Sequence, residues 1–380
     1  MKVDLAADSP EPGDVARIAG AAEALGFDGL WIAETAHEPF VGSALALAAS
    51  RRIGVGTGIA VAFARSPVTI AQAAFDLAAL SGGRFQLGLG TQVRAHVERR
   101  FGMAWSAPAP RMAEWIAAIR GAWAAWQDGA PFRVSGEHLD LSLMPKFFSP
   151  PPLAFEPAAG RPRIPVSIAG VGPGLARLAG RVADGFHVHP FHTARYLAGV
   201  IEPALAEGEA RRGGDRVGAA PSRSDTSARE GAPGPAAVDA AVTPPHVERI
   251  VPVFLAPTDR PDLLEAARSR IAFYASTPRY RRVLALHGRE HAGEQLSRLA
   301  AAGRWAEMPP LIDDELLAEV AVVAPTDALP DLLARRVSGH ADRVMPLLEM
   351  GRSGPGLIAN GLEGPNARLV RRLIATLRDA

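Results

Sequence analysis

Residues 52–90 read RIGVGTGIAVAFARSPVTIAQAAFDLAALSGGRFQLGLG. The opening run, Arg52–Ala62, is mostly apolar and reads as a strand, with glycines at Gly54, Gly56 and Gly58. Pro67 then opens a helix at a position proline tolerates, and apolar spacing carries it to Leu80. Gly82-Gly83 stops it, and Arg84–Gly90 begins another strand. A helical crossover is how the chain joins two parallel strands, so this stretch specifies one βαβ unit.

The same alternation extends in both directions. Upstream, strands are predicted at Lys2–Ala6 and Asp28–Ala33, with helices at Pro12–Leu25 and Val41–Ser50. Val15, Ile18, Ala22 and Leu25 share one face of the first helix, and Gly26 ends it. Downstream, strands are predicted at Ile164–Gly170, Gly185–His189, Arg249–Ala256 and Asp342–Leu348. Helices lie between them, including Ala109–Gln127, Gly174–Ala183, Ala194–Arg211 and Asp314–Val320, and Pro365–Leu377 closes the chain. Eight strands alternating with helices predict an α/β fold, a closed (β/α)8 TIM barrel. A doubly wound sheet would carry its phosphate glycines in the first strand–helix turn. That turn is Asp8-Ser9-Pro10-Glu11-Pro12 and has none.

One domain over residues 1–380 fits this pattern, with an insertion at 213–246. The insertion contains no Leu, Ile, Phe, Tyr or Trp. Such a segment buries too little apolar surface to offset its ordering entropy, which predicts a flexible surface loop.

Composition narrows the function. The 41 Lys and Arg against 40 Asp and Glu leave a net charge of +1, which speaks against a nucleic-acid or polybasic membrane surface. A small-molecule substrate is the expectation. The absence of cysteine removes disulfides, thiolate nucleophiles and zinc–thiolate sites together. No stretch has the apolar length of a membrane span, and the start does not read as a signal peptide. A cytoplasmic enzyme without a metal is expected.

Three segments draw attention. In Gly56-Thr57-Gly58-Ile59, alternate glycines weaken a strand. They imply either a bulge where backbone approaches a flat ring or tight packing inside the barrel. Gly88 and Gly90 with Thr91 end the fourth strand, on the face where such barrels work. Gly170-Val171-Gly172-Pro173-Gly174 leads from the fifth strand into a helix start, where free N–H groups and the helix dipole favour an anion.

Together these segments resemble the luciferase-like monooxygenase superfamily. The likeness is carried by Arg65-Ser66-Pro67, by Ser81-Gly82-Gly83-Arg84-Phe85, and by Ala179-Gly180 through Ala183-Asp184-Gly185. It is closest to a subgroup of coenzyme F420-dependent oxidoreductases, through Gln92-Val93-Arg94 to Arg99-Arg100-Phe101-Gly102 and through Phe273-Tyr274-Ala275-Ser276-Thr277-Pro278. The resemblance implies an oxidoreductase that transfers hydride between F420 and a small organic molecule, and a homodimer. FMN with dioxygen is the alternative chemistry, and a non-catalytic flavin-binding barrel a further one.

The resemblance also implies roles. A non-prolyl cis peptide is expected at Gly58–Ile59, behind the cofactor ring. Gly90 and Thr91 would add contacts, and Gly170, Val171, Gly172 and Gly174 would hold the phosphate. At the end of strand two, Glu34 or His37 would exchange the proton that accompanies hydride; imidazole titrates near neutrality as a residue type. His187 and His189 end strand six, and strand alternation points them to the same side.

Overall fold

A computed structural model gives the fold; it describes residues 1–8, 10–157, 159–212, 246–348 and 365–380. Among these, eight strands form a closed parallel ring: β1 Lys2–Ala7, β2 Gly29–Ile32, β3 Gly54–Thr57, β4 Phe85–Gly90, β5 Val166–Gly170, β6 Gly185–Val188, β7 Glu248–Pro257 and β8 Arg343–Leu348. Each pairs with its successor, and β8 closes on β1 through Lys2↔Arg343 and Val3↔Val344. The predicted (β/α)8 barrel is the fold observed.

Strand periodicity divides the apolar residues. Val3, Leu5, Leu30, Val55, Leu87 and Phe186 belong to the large core beneath the surrounding helices. Trp31, Ile250 and Met345 form a separate small cluster, with Ala6 and Leu347 packed against it. These alternate with the first set along the strands and fill the barrel's interior. Among them runs a buried polar chain: Trp31 Nε1 donates to Asp4 at 2.7 Å, and Arg343 donates to both Asp4 oxygens at 2.5 and 2.7 Å.

The first helix spans Pro12–Leu25, and Gly26 follows at φ 96°, where glycine escapes the Cβ penalty. The third predicted strand is in fact interrupted. β3 stops at Thr57, the Gly58–Ile59 peptide is cis, and pairing resumes at Ala60–Val61 against Leu89 and Gly90. A strand at Ala321–Ala324 joins the C-terminal half of β7, through Phe254↔Ala321. Nothing in the sequence reading anticipated it, or the helix Arg94–Arg99, or the hairpin of Val134–Ser135 with Asp140–Leu141. All but one residue of the expected insertion at 213–246 lie outside the described residues. No helix among the described residues is long and apolar enough to cross a membrane.

Candidate active site

Glu34 organises the C-terminal end of β2. Its backbone N–H donates to the carbonyl of Ile59 at 3.2 Å, and its carboxylate accepts the N–H of Val61 at 2.7 Å. The Gly58 N–H donates to Ile32 at 2.8 Å. The interruption in strand three is therefore held at Gly58, Ile59 and Val61 by the end of strand two. Arg65 completes the arrangement, donating to the two Glu34 oxygens at 2.8 and 3.0 Å and to Glu38 at 2.8 Å.

The glycines around this turn have packing partners. A Cβ on Gly56 would overlap the Trp31 ring, and one on Gly58 would stand 2.8 Å from Trp31 Cβ. A Cβ on Gly90 would overlap the side chain of Ile59. Gly56 thus meets the tight-packing reading, while Gly58 lies in the turn itself. Gly58, Ile59 and Gly90 are brought together, and Thr91 follows at the end of β4. Next comes Gln92 in the left-handed region at φ 56°, uncommon for a residue with a side chain; its amide oxygen accepts the Val93 N–H at 3.0 Å.

β4 and β5 are neighbours, with Leu89 opposite Ile168, so the loop Gly170–Gly174 begins beside the end of β4. It leads into the helix Pro173–Val182. Gly172 is the N-cap, at φ −103°, and offers no side chain to cap the helix. Among the described residues, no side chain caps the first-turn N–H groups of Gly174 and Leu175, which can bind an acceptor. The Arg282 guanidinium lies against this loop: a Cβ on Gly172 would stand 2.5 Å from its Nη1. Tyr196 braces the loop by donating to the carbonyl of Val171 at 2.9 Å. Uncapped amides, a nearby guanidinium and no side chain at Gly172 or Gly174 are what a phosphate requires.

The two strand-six histidines occupy different surroundings. His187 is sealed within the barrel, edge-on to Trp31 at 4.5 Å and 89°. Burial, with Arg343 nearby, pushes its pKa down to about 3. His189 lies beyond the end of β6, against Tyr280 at 4.2 Å and Tyr274 at 5.0 Å. Its Nδ1 accepts the Phe191 N–H at 3.1 Å, which leaves the ring's proton on Nε2. Burial lowers its pKa to about 3 as well and raises that of Tyr280 to about 12. Both groups are neutral hydrogen-bonding partners over the working pH range.

His37 lies apart from these, on the rim, with Nε2 3.3 Å from Glu11. Arg100 donates to the Thr35 carbonyl at 2.6 Å and ties the loop after β4 to the one carrying His37. Trp105 stands beneath Arg279 at 5.5 Å. His287 is nearly buried and pairs with Thr193 at 2.9 Å. Arg65 and Arg282 were not singled out from the sequence as site residues. Their partners lie in other parts of the chain; the Arg65-Ser66-Pro67 motif marks the turn but not the pairing of Arg65 with Glu34, and no local pattern marks Arg282.

Residues 2–343 match the family described as luciferase-like monooxygenase. This chain belongs to that family. An uncharacterized protein of Mycobacterium tuberculosis strain H37Rv is 42% identical over 343 residues, covering 90% of this chain and 92% of that one. An F420-dependent glucose-6-phosphate dehydrogenase of Intrasporangium calvum is 32% identical over 212 residues, 50% of this chain and 58% of that one. Among solved structures, the coenzyme F420-dependent tetrahydromethanopterin reductase of Methanopyrus kandleri superposes with a TM-score of 0.69 at 16% identity. That likeness covers 100% of this chain and 98% of the reductase. At that identity it speaks for the fold of this luciferase-like protein.

Proposed function

We propose that this luciferase-like protein is a coenzyme F420-dependent oxidoreductase that moves hydride between the deazaflavin and a small organic substrate. The observation that carries the reading is the uncapped helix start at Gly172, with Arg282 against it, one strand away from the turn at Gly58–Ile59. Relatives named as F420-dependent add support. The cofactor, when bound, supplies the ring carbon that gives or takes hydride.

The protein's own residues divide the remaining work. Gly170, Val171, Gly172 and Gly174 hold the phosphate, with Arg282 countering its charge. Gly58 and Ile59 back the ring, and Gly90 and Thr91 lie at its edge. Glu34 has its oxygens engaged by Arg65 and the Val61 amide, so we assign it to positioning this turn. His37, on the rim, exchanges the proton with solvent. His189 offers the N–H of Nε2 as a neutral hydrogen-bond donor. The working form on this reading is a cytoplasmic homodimer.

The test is a pair of fluorescence titrations, one with F420 and one with FMN. Tighter F420 binding is expected. Equal or tighter FMN binding would replace the reading with the flavin–dioxygen one, and F420 binding without turnover on any alcohol, aldehyde or enone would leave a binding protein.

A further inference from the structure

The opposite end of the barrel has chemistry of its own. At the N-terminal mouth, Ser167 on β5 lies in register with Gly185 on β6. These small inward residues leave a cavity of about 610 Å³, floored by Trp31 and Ile250 and edged by Lys2, Arg161 and Glu248. Its volume lies within the roughly 300–1,000 Å³ of small-molecule sites.

Two polar features of this cavity favour a ligand. Ser167 Oγ is buried and has no hydrogen-bond partner among the described residues, a condition that favours an incoming donor or acceptor. The charges are also unequal. Arg343 is held by Asp4 at 2.5 Å and stands 3.6 Å from Glu248. Glu248 is in turn shared by Lys2 at 2.9 Å and Arg161 at 4.0 Å. Three cations thus face two carboxylates. Asp28, which also acts on Arg343, and Asp184 and Asp342 at this mouth carry their own arginines, Arg378, Arg120 and Arg249. The unmatched positive charge falls on Lys2 and Arg161, whose side chains are 40% and 44% exposed at the opening.

We propose that this mouth is a second ligand site, for a small organic monoanion. The anionic group would sit at Lys2 and Arg161, the apolar body would lie on Ile250 and the edge of Trp31, and a polar substituent would meet Ser167 Oγ. The site is separate from the C-terminal face, because the packed interior of Trp31, Ile250 and Met345 stands between them.

The probe is 8-anilinonaphthalene-1-sulfonate, an aromatic monoanion, titrated into the full chain by fluorescence. One site is expected, unmoved by F420 or FMN. Ser167→Leu, which fills the cavity, should weaken it at least tenfold. Arg161→Glu, an exposed change that leaves folding intact, should weaken it several-fold. If Ser167→Leu fails to fold, Arg161→Glu alone decides. The proposal is overturned by no binding to the wild type, by unchanged affinity in Arg161→Glu, or by displacement of the probe by either cofactor. The titration needs no turnover, so its outcome is independent of the proposed redox function.

Discussion

Arg65 grips Glu34 with two nitrogens, at 2.8 and 3.0 Å, across 31 residues of chain. Both side chains are largely buried, 17% and 6% exposed, and the carboxylate also holds the Val61 N–H. Glu34→Gln keeps the shape and removes the charge. It should cost about 3 kcal/mol, the low end for a broken buried pair, because Glu38 still faces Arg65. Urea denaturation measures this. A change under about 0.5 kcal/mol would show that the pair does not hold the turn, and would return Glu34 to consideration as a proton carrier.

Acid should destabilise the protein early. Burial lowers His187 and His189 to about 3 and His192 to about 4, whereas an unfolded histidine titrates near 6.5. Between those values the unfolded chain binds more protons than the folded one, so stability is present above pH ~6.5 and falls as the pH drops. With three such groups the slope approaches about 4 kcal/mol per pH unit below pH ~6. Denaturation at pH 7.5, 6.0 and 5.0 gives the slope directly. A flat profile down to pH 5 would mean that these imidazoles are charged in the folded protein.

Cofactor binding and folding should separate at the loop after β5. Neither Gly172 nor Gly174 has a positive φ, and a Cβ on Gly174 would meet nothing within 4 Å. Gly174→Ala should therefore melt at or slightly above the wild type, since alanine favours the helix. Its methyl would project where the phosphate is proposed, and loss of a charge-assisted contact weakens F420 binding about 10- to 150-fold. Gly172→Ala should behave similarly once Arg282 swings aside. Wild-type affinity in both variants would move the phosphate elsewhere.

The barrel glycines predict the reverse pattern. A Cβ on Gly88 would overlap the backbone carbonyl of Thr57, while one on Gly56 would overlap the Trp31 ring. The Gly56 Cβ would also stand 2.8 Å from the Gln86 carbonyl, but that is a milder encroachment than the overlap of the Gly88 Cβ with the Thr57 carbonyl, and the Trp31 ring can tilt more readily than a carbonyl fixed in a strand. Gly56→Ala should cost about 1–3 kcal/mol as an overpacked core, and Gly88→Ala more than that. Comparing soluble yield and melting tests the order; equal stability for the two would show that the strands give way as easily as the ring.

Local patterns in the sequence foretold most of the barrel. The helix Pro12–Leu25 could be read to the residue because proline, a 3.6-residue stripe and a terminal glycine agree. Ala321–Ala324 was hidden, because a short apolar run directly after a helix has no period of its own. The site was less legible. The cis bond at Gly58–Ile59 was accessible only through family resemblance. The clasp of Arg65 on Glu34 and the approach of Arg282 to Gly172 depend on strands meeting across the barrel, which no local spacing records. The two strand-six histidines also differ in role, since His187 points at Trp31 deep inside and His189 clears the strand end.

The seam between β1 and β8 joins Asp4 to Arg343 across 339 residues. At a synthesis rate of ~5–20 residues per second, β1 leaves the ribosome roughly 20–70 s before the strand that covers its outer edge. Until then Val3 and Leu5 sit beside an open row of backbone donors and acceptors, the kind of edge that recruits other chains. Contacts this distant also form late and slowly. For this protein, the hazard on the nascent chain is greatest while most of the barrel already stands. Yield in a host should accordingly respond to chaperones that shield strand edges during translation more than to changes that stabilise the finished ring.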